Sequence, residues 1–152
     1  MRVVIPSRGR SNNVKTLSLI PESYYNSTYI IIEPQEEIEY TKSYGNVNFI
    51  ILPQSNQGVV YVRNFILGRF QDEECILMLD DDIEEFQKRL PEKTPSGYPK
   101  LQKMNLDEIE KMFNELEKAF NQFNITQATI SFAPSNWLFD KSVKSPSRVW
   151  CF

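Results

Sequence analysis

Cys75 to Leu79 is a run of five apolar residues that leads straight into Asp80, Asp81 and Asp82. A short apolar run without polar alternation is the pattern of a strand covered on both faces, as in a parallel sheet between helices. Three adjacent carboxylates at the mouth of such a strand repel one another unless a counter-charge sits among them, and a cation is the obvious one. If the extended geometry continues that far, Asp80 and Asp82 point to one side and Asp81 to the other. The two like-facing groups then lie roughly 7 Å apart by strand rise and can share a divalent ion where the chain begins to turn. Acidic residues also close strands simply as solvated groups, so the motif has to be weighed with the rest of the chain.

The same strand pattern recurs. Residues 2–6 form a β-rich run closed by Pro6, residues 29–32 end in Glu33 and Pro34, and residues 48–52 end in Pro53. Between them, 14–20 and 35–44 have helical character. Residues 57–70 place Val62, Phe65, Ile66 and Phe70 on one helical stripe. Strands separated by helical segments predict an α/β, Rossmann-like, mostly parallel sheet with helices on both faces. Residues 90–104 hold three prolines and a glycine and are expected to be a long loop. Asn105 with Glu108 forms a capping box for a helix whose stripe includes Ile109, Phe113 and Phe120, and 126–133 alternates like a further strand.

At 152 residues the chain reads as a single domain, 1–152, with a first half to residue 86 and a shorter second half of loop, helix and strand. The net charge of −3 argues against a broad basic surface. The two cysteines form no paired motif, and the absence of histidine removes His ligands and His-based nucleophile systems. No apolar run is long enough to span a bilayer and none resembles a signal peptide, so a cytoplasmic protein is expected.

In open parallel sheets ligands collect at the carboxyl ends of the strands. Here those ends carry Ser7, Arg8, Gly9 and Arg10, then Glu33, the loop up to Gly58, and Asp80 to Asp82. Arginine suits bidentate phosphate binding, and a glycine between two arginines lets a ligand approach the backbone. Acid beside base suits a cation accompanying an anionic ligand such as a nucleotide diphosphate. An oxygen-only donor set points to Mg²⁺ or Mn²⁺, and Glu33 is placed to meet a ribose hydroxyl or a base edge.

Val3 to Arg10 (Val-Val-Ile-Pro-Ser-Arg-Gly-Arg), Gly58 with Arg63-Asn64, and Leu77 to Ile83 (Leu-Met-Leu-Asp-Asp-Asp-Ile) together resemble a GT-A-fold nucleotide-sugar glycosyltransferase. The likeness is greatest to the small viral and TET-associated glycosyltransferases, and it covers residues 1–86. It implies that Asp80 and Asp82 hold the metal and diphosphate, that Asp81 flanks the ribose, and that Pro6, Arg8, Glu33 and Arg63 line the nucleotide pocket. It further implies a nucleotide-sugar donor and an acceptor hydroxyl on a modified DNA base, a protein or a glycolipid, in the host cytoplasm if the protein is viral. The second half departs from that family, lacking its C-terminal metal-binding histidine. Asp140 is the candidate base for an inverting member. A minimal enzyme, a fragment and a homodimer completing its site in trans all remain open. So do two other functions, a sugar nucleotidyltransferase and a nucleotide-binding module without turnover.

Overall fold

The computed structural model describes residues 1–73, 75–123, 131–132, 147–148 and 150–151. Strand β1 (Arg2–Pro6) is followed by two 3-10 turns, Lys15–Leu19 and Glu22–Ser27, then β2 (Thr28–Ile32), helix α1 (Glu37–Tyr44) and β3 (Asn48–Ile51). Helix α2 (Gly58–Arg69) leads to β4 (Ile76–Met78), then β5 (Gln87–Lys93), β6 (Pro99–Lys103) and α3 (Leu106–Phe123). Three two-residue strands follow: β7 (Ser131–Phe132), β8 (Ser147–Arg148) and β9 (Trp150–Cys151).

The main sheet has the order β3-β2-β1-β4-β9. Its first four strands are parallel, with Ile5 opposite Ile30, Ile30 opposite Phe49 and Val3 opposite Leu77, and β9 joins β4 antiparallel at the edge. This is the expected α/β, Rossmann-like sheet. Alternation along the strands divides the core in two. Val3, Ile5, Ile30, Ile32 and Leu77 face Tyr40 of α1 and Ile109, Phe113 and Phe120 of α3. Val4, Ile31, Ile76 and Met78 face Ile66 of α2 and Phe70 just beyond it. Unbroken apolar strands follow directly from that double cover. Cys75, buried at the start of the central run, is a free thiol.

The strand order fixes where a ligand can sit. From β1 the chain builds outward through β2 to β3, then returns across the opposite face to place β4 on the other side of β1. The loops leaving β1 and β4 therefore lie side by side at the carboxyl end of the sheet, the switch point where ligands gather in open α/β sheets.

The capping box is formed: Asn105 Oδ1 accepts from the Glu108 N–H at 2.9 Å, and Glu108 Oε2 accepts from the Asn105 N–H at 3.0 Å. Residues 14–20 tighten into the 3-10 turn rather than an α-helix.

The expected loop at 90–104 is instead most of an antiparallel ribbon, β5 with β6. Pro95 falls in the turn, and the other two prolines misled because each occupies a position a strand tolerates. Pro91 lies where the register shifts between Arg89 and Lys93, and Pro99 opens β6. Gly97, at φ +84°, closes the turn that Thr94 and Tyr98 pin by backbone bonds. The expected strand at 126–133 includes β7, and its other residues lie outside the described ones.

Candidate functional site at the switch point

Three groups of side chains meet at the carboxyl ends of β1, β2 and β4, and each is held by a different part of the fold. The first surrounds the carboxylate triplet. β4 ends at Met78 and Asp81–Asp82 form a turn, so strand alternation does not orient these side chains as expected. The surroundings sort them instead. Thr16, fully buried, donates its hydroxyl to the Asp80 carbonyl at 2.6 Å and accepts the Ile83 N–H at 3.0 Å, bracing the turn from both ends. Asp81 is turned inward, its side chain 13% exposed, while those of Asp80 and Asp82 are 51% and 54% exposed.

What turns Asp81 inward is a directed hydrogen-bond chain. Ser7 Oγ donates to Asp81 Oδ2 at 2.5 Å, which commits its only proton. The Tyr40 hydroxyl, 2.8 Å from Ser7 Oγ, must then be the donor between those two, and it accepts the Arg10 N–H at 3.0 Å. Burial pushes the Tyr40 phenol above its ordinary pKa, only partly opposed by its bonds to Ser7 and Arg10, so it stays a protonated donor. Arg10 completes the group, with Nε 3.3 Å from Asp81 and Nη2 3.2 Å from Asp82.

The second group is built on Glu33, which is buried at the end of β2 rather than an exposed strand end. Its carboxylate accepts the Asn56 N–H at 3.0 Å and a bond from Gln35, and lies 3.5 Å from Arg8 Nε. Arg8 also donates to the Asn56 side chain. Asn56 at φ +59° and Gly58 at φ +81° turn the chain sharply into α2, and Gly58 adopts that region without the penalty a Cβ would bring. Gly9, at φ +69°, plays the same part between the two arginines, and its N–H meets Glu36 Oε1 at 2.5 Å.

The third group is a loose pair: Arg63, one turn into α2, lies 3.5 Å from Asp80. Burial raises the Asp80 carboxyl pKa, Arg63 opposes the shift, and the neighbouring Asp82 and Asp81 add to it. Arg63 Nε is enclosed and has no partner among the described residues, so this guanidinium retains hydrogen-bonding capacity.

Of the residues singled out in the sequence, Pro6, Ser7, Arg8, Arg10, Glu33, Asp80, Asp81 and Asp82 lie on the loops and strand ends of this one edge, and Gly58 and Arg63 lie in the first turns of α2. Asp140 lies outside the described residues. Sequence reasoning missed Thr16, Tyr40 and Asn56. No motif marks them, because their contacts span from 23 to 67 residues of chain.

Among the described residues no three acidic or thiol side chains converge as a ready-made metal centre. Two exposed carboxylates, Asp80 and Asp82, do fit a hard cation that brings phosphate oxygens and water to complete its shell, the usual mode for Mg²⁺. Asp81, spent on Ser7 and Arg10, does not.

A mostly parallel α/β sheet with charged side chains clustered at its switch point defines a Rossmann-like domain of the glycosyltransferase kind. A family model described as TET-associated glycosyltransferase matches residues 1–148, and the chain belongs to that family. It is accordingly a glycosyltransferase. No curated protein and no solved structure matches it. Among the described residues, no helix is long and apolar enough to cross a membrane.

The Tyr40 hydroxyl gives a direct test of the site's scaffold. Tyr40→Phe keeps the ring but leaves the Arg10 N–H without its acceptor and Ser7 Oγ without its donor. The expected loss is about 1–2 kcal/mol in urea unfolding, with an unchanged m-value.

Proposed function

We propose that this glycosyltransferase takes its sugar from a nucleotide-diphosphate donor and passes it to an acceptor hydroxyl, with Mn²⁺ or Mg²⁺ accompanying the diphosphate. One observation carries the reading: two exposed carboxylates and three arginines gather at the switch point, acid beside base. A divalent cation held by Asp80 and Asp82 would neutralise charge appearing on the departing diphosphate. The arginines then have the geometry and charge for the phosphate oxygens.

The remaining assignments follow from position. Buried Glu33, with Asn56 and Arg8 around it, sits where a ribose or base would be gripped, and Asp81 flanks that pocket from β4. Residues 1–86 form the donor half in this reading, and the remainder serves the acceptor. The acceptor oxygen forms a bond to the anomeric carbon as the bond from that carbon to the diphosphate breaks. The hydroxyl proton passes to a base, for which Asp140 is the candidate.

Thermal unfolding in the presence of UDP-, GDP-, TDP- and CDP-sugars, each with and without Mn²⁺, tests the donor class. A ligand at a hundred times its Kd adds about 2.7 kcal/mol, which in a chain of this size raises Tm by roughly 5–10 °C. One nucleotide class should produce that shift, and only with the metal present. No shift with any donor, or equal shifts with and without metal, would overturn the proposal.

A further inference from the structure

The two edges of the main sheet are finished differently. At one, β9 pairs antiparallel with β4. At the other, β3 pairs with β2 alone among the described residues. The bond from the Leu52 N–H to the Ile32 carbonyl, 2.9 Å, fixes which backbone groups of β3 are spent. Along a strand, the N–H and C=O of one residue point to one side and those of the next residue to the other. Asn48, Ile50 and Leu52 therefore address β2, and Phe49 and Ile51 present their N–H and C=O groups to the open edge.

Proteins ordinarily blunt such an edge with charge, above all with lysine. This edge has none. Charged residues make up 24% of the chain, yet the twenty from Ser43 to Val62 include not one. That stretch runs from the end of α1 through β3 into α2. Ile51 on the edge strand is 38% exposed. At the amino end of β3, Val47 lines a largely apolar cavity of about 280 Å³ with Leu17, Tyr25 and Tyr44, and Tyr25 is half exposed. Unpaired backbone groups and uncharged, partly apolar surroundings together make a template for another strand.

We propose that β3 pairs antiparallel with β3 of a second copy of this chain, about a two-fold axis at Ile50. The pattern is self-complementary. Phe49 of one copy lies opposite Ile51 of the other, and such a pair exchanges two N–H···O=C bonds. The axis repeats the pair, so four backbone bonds form and the two Ile50 residues meet between them. Pro53 has no N–H to offer, and the Val47 N–H is spent on the Tyr44 carbonyl, so the ladder ends on either side and its register is fixed. Charge favours a copy over another partner. Two chains of net −3 repel each other, and they approach best where neither presents a charge. Isologous pairing uses up the edge in both copies, so assembly closes at two.

The test is sedimentation equilibrium of the full chain without nucleotide sugar, at concentrations up to roughly 100 μM. Its outcome is therefore independent of the donor reading. The mass should rise with concentration from 17.8 kDa toward twice that value. Ile51→Lys sets two like charges diagonally across the axis and should weaken the dimer by about tenfold or more. Ile51→Pro removes an N–H that β2 does not use, and it should abolish pairing in a protein that still unfolds cooperatively. Leu106→Lys, the same change at an exposed apolar position on α3, should leave the dimer intact. Amide hydrogen exchange reads the register: the Phe49 and Ile51 N–H groups should exchange fast in dilute protein and slowly in concentrated protein, and that of Ile50 slowly in both. A monomer throughout, a dimer that both Ile51 variants preserve, or equal loss in Leu106→Lys would each overturn the proposal. So would protection of Phe49 and Ile51 at every concentration, which would put another segment of the same chain on the edge.

Discussion

Asp82→Ala is expected to lower glycosyl transfer about a thousandfold while leaving the protein as stable as before. The two halves of that expectation have separate causes. The Asp82 side chain is half exposed and its ion pair to Arg10 is a surface contact worth little to folding. In the proposed chemistry the same carboxylate helps hold the cation that offsets charge on the departing diphosphate. Removing one such preorganised group typically costs a factor of 10² to 10³, about 2.7–4 kcal/mol, and loss of the metal adds to it. Asp81→Ala should behave differently. It strips the acceptor from Ser7 and one arm of Arg10 inside the scaffold, so stability and rate should fall together. Parallel measurement of kcat/KM and urea unfolding for the two variants checks this. Equal activity of Asp82→Ala and wild type would remove Asp82 from the mechanism.

Phe113→Ala is the second large effect, and it acts on the fold alone. Phe113 is fully buried in α3, with its ring edge-to-face against Tyr24 at 5.3 Å and Phe86 at 6.2 Å between centroids. It joins the helix to the turn before β2 and to the anchor of the ribbon. Truncating a buried phenylalanine costs about 3–5 kcal/mol, against a total stability of about 5–15 kcal/mol. Tm should therefore fall by roughly 10 °C or more. Ile38→Ser, at a position 83% exposed on α1, should change stability by no more than about 0.5 kcal/mol. Chemical denaturation of both variants checks the contrast. A Phe113→Ala loss as small as that of Ile38→Ser would mean that α3 does not close this face of the sheet.

The parts of the fold legible in the sequence were those written in local pattern. Strands covered on both faces must be apolar throughout, and Val3 to Ile5, Ile30 to Ile32 and Cys75 to Leu79 advertise that directly. The α3 cap was legible because both of its partners lie within four residues. The ribbon was hidden because Pro91 and Pro99 look like breakers until the register shift and strand start that accommodate them are seen. In the site, the charged residues were visible and their support was not. Tyr40 looks like any core aromatic, and only the folded chain brings it to Ser7, 33 residues away. Nothing local marks Glu33 as buried, because the Asn56 N–H that it accepts comes from 23 residues away.

The central claim is that the acids closing β4 bind a cation together with a diphosphate. Calorimetric titration of the nucleoside diphosphate identified by the unfolding panel, with and without Mn²⁺, tests it most directly when wild type is compared with the Asp80→Asn, Asp82→Asn double variant. The account predicts tight binding to wild type only with Mn²⁺, and a double variant whose weak residual binding ignores the metal. Equal, metal-promoted affinity in both proteins would contradict it.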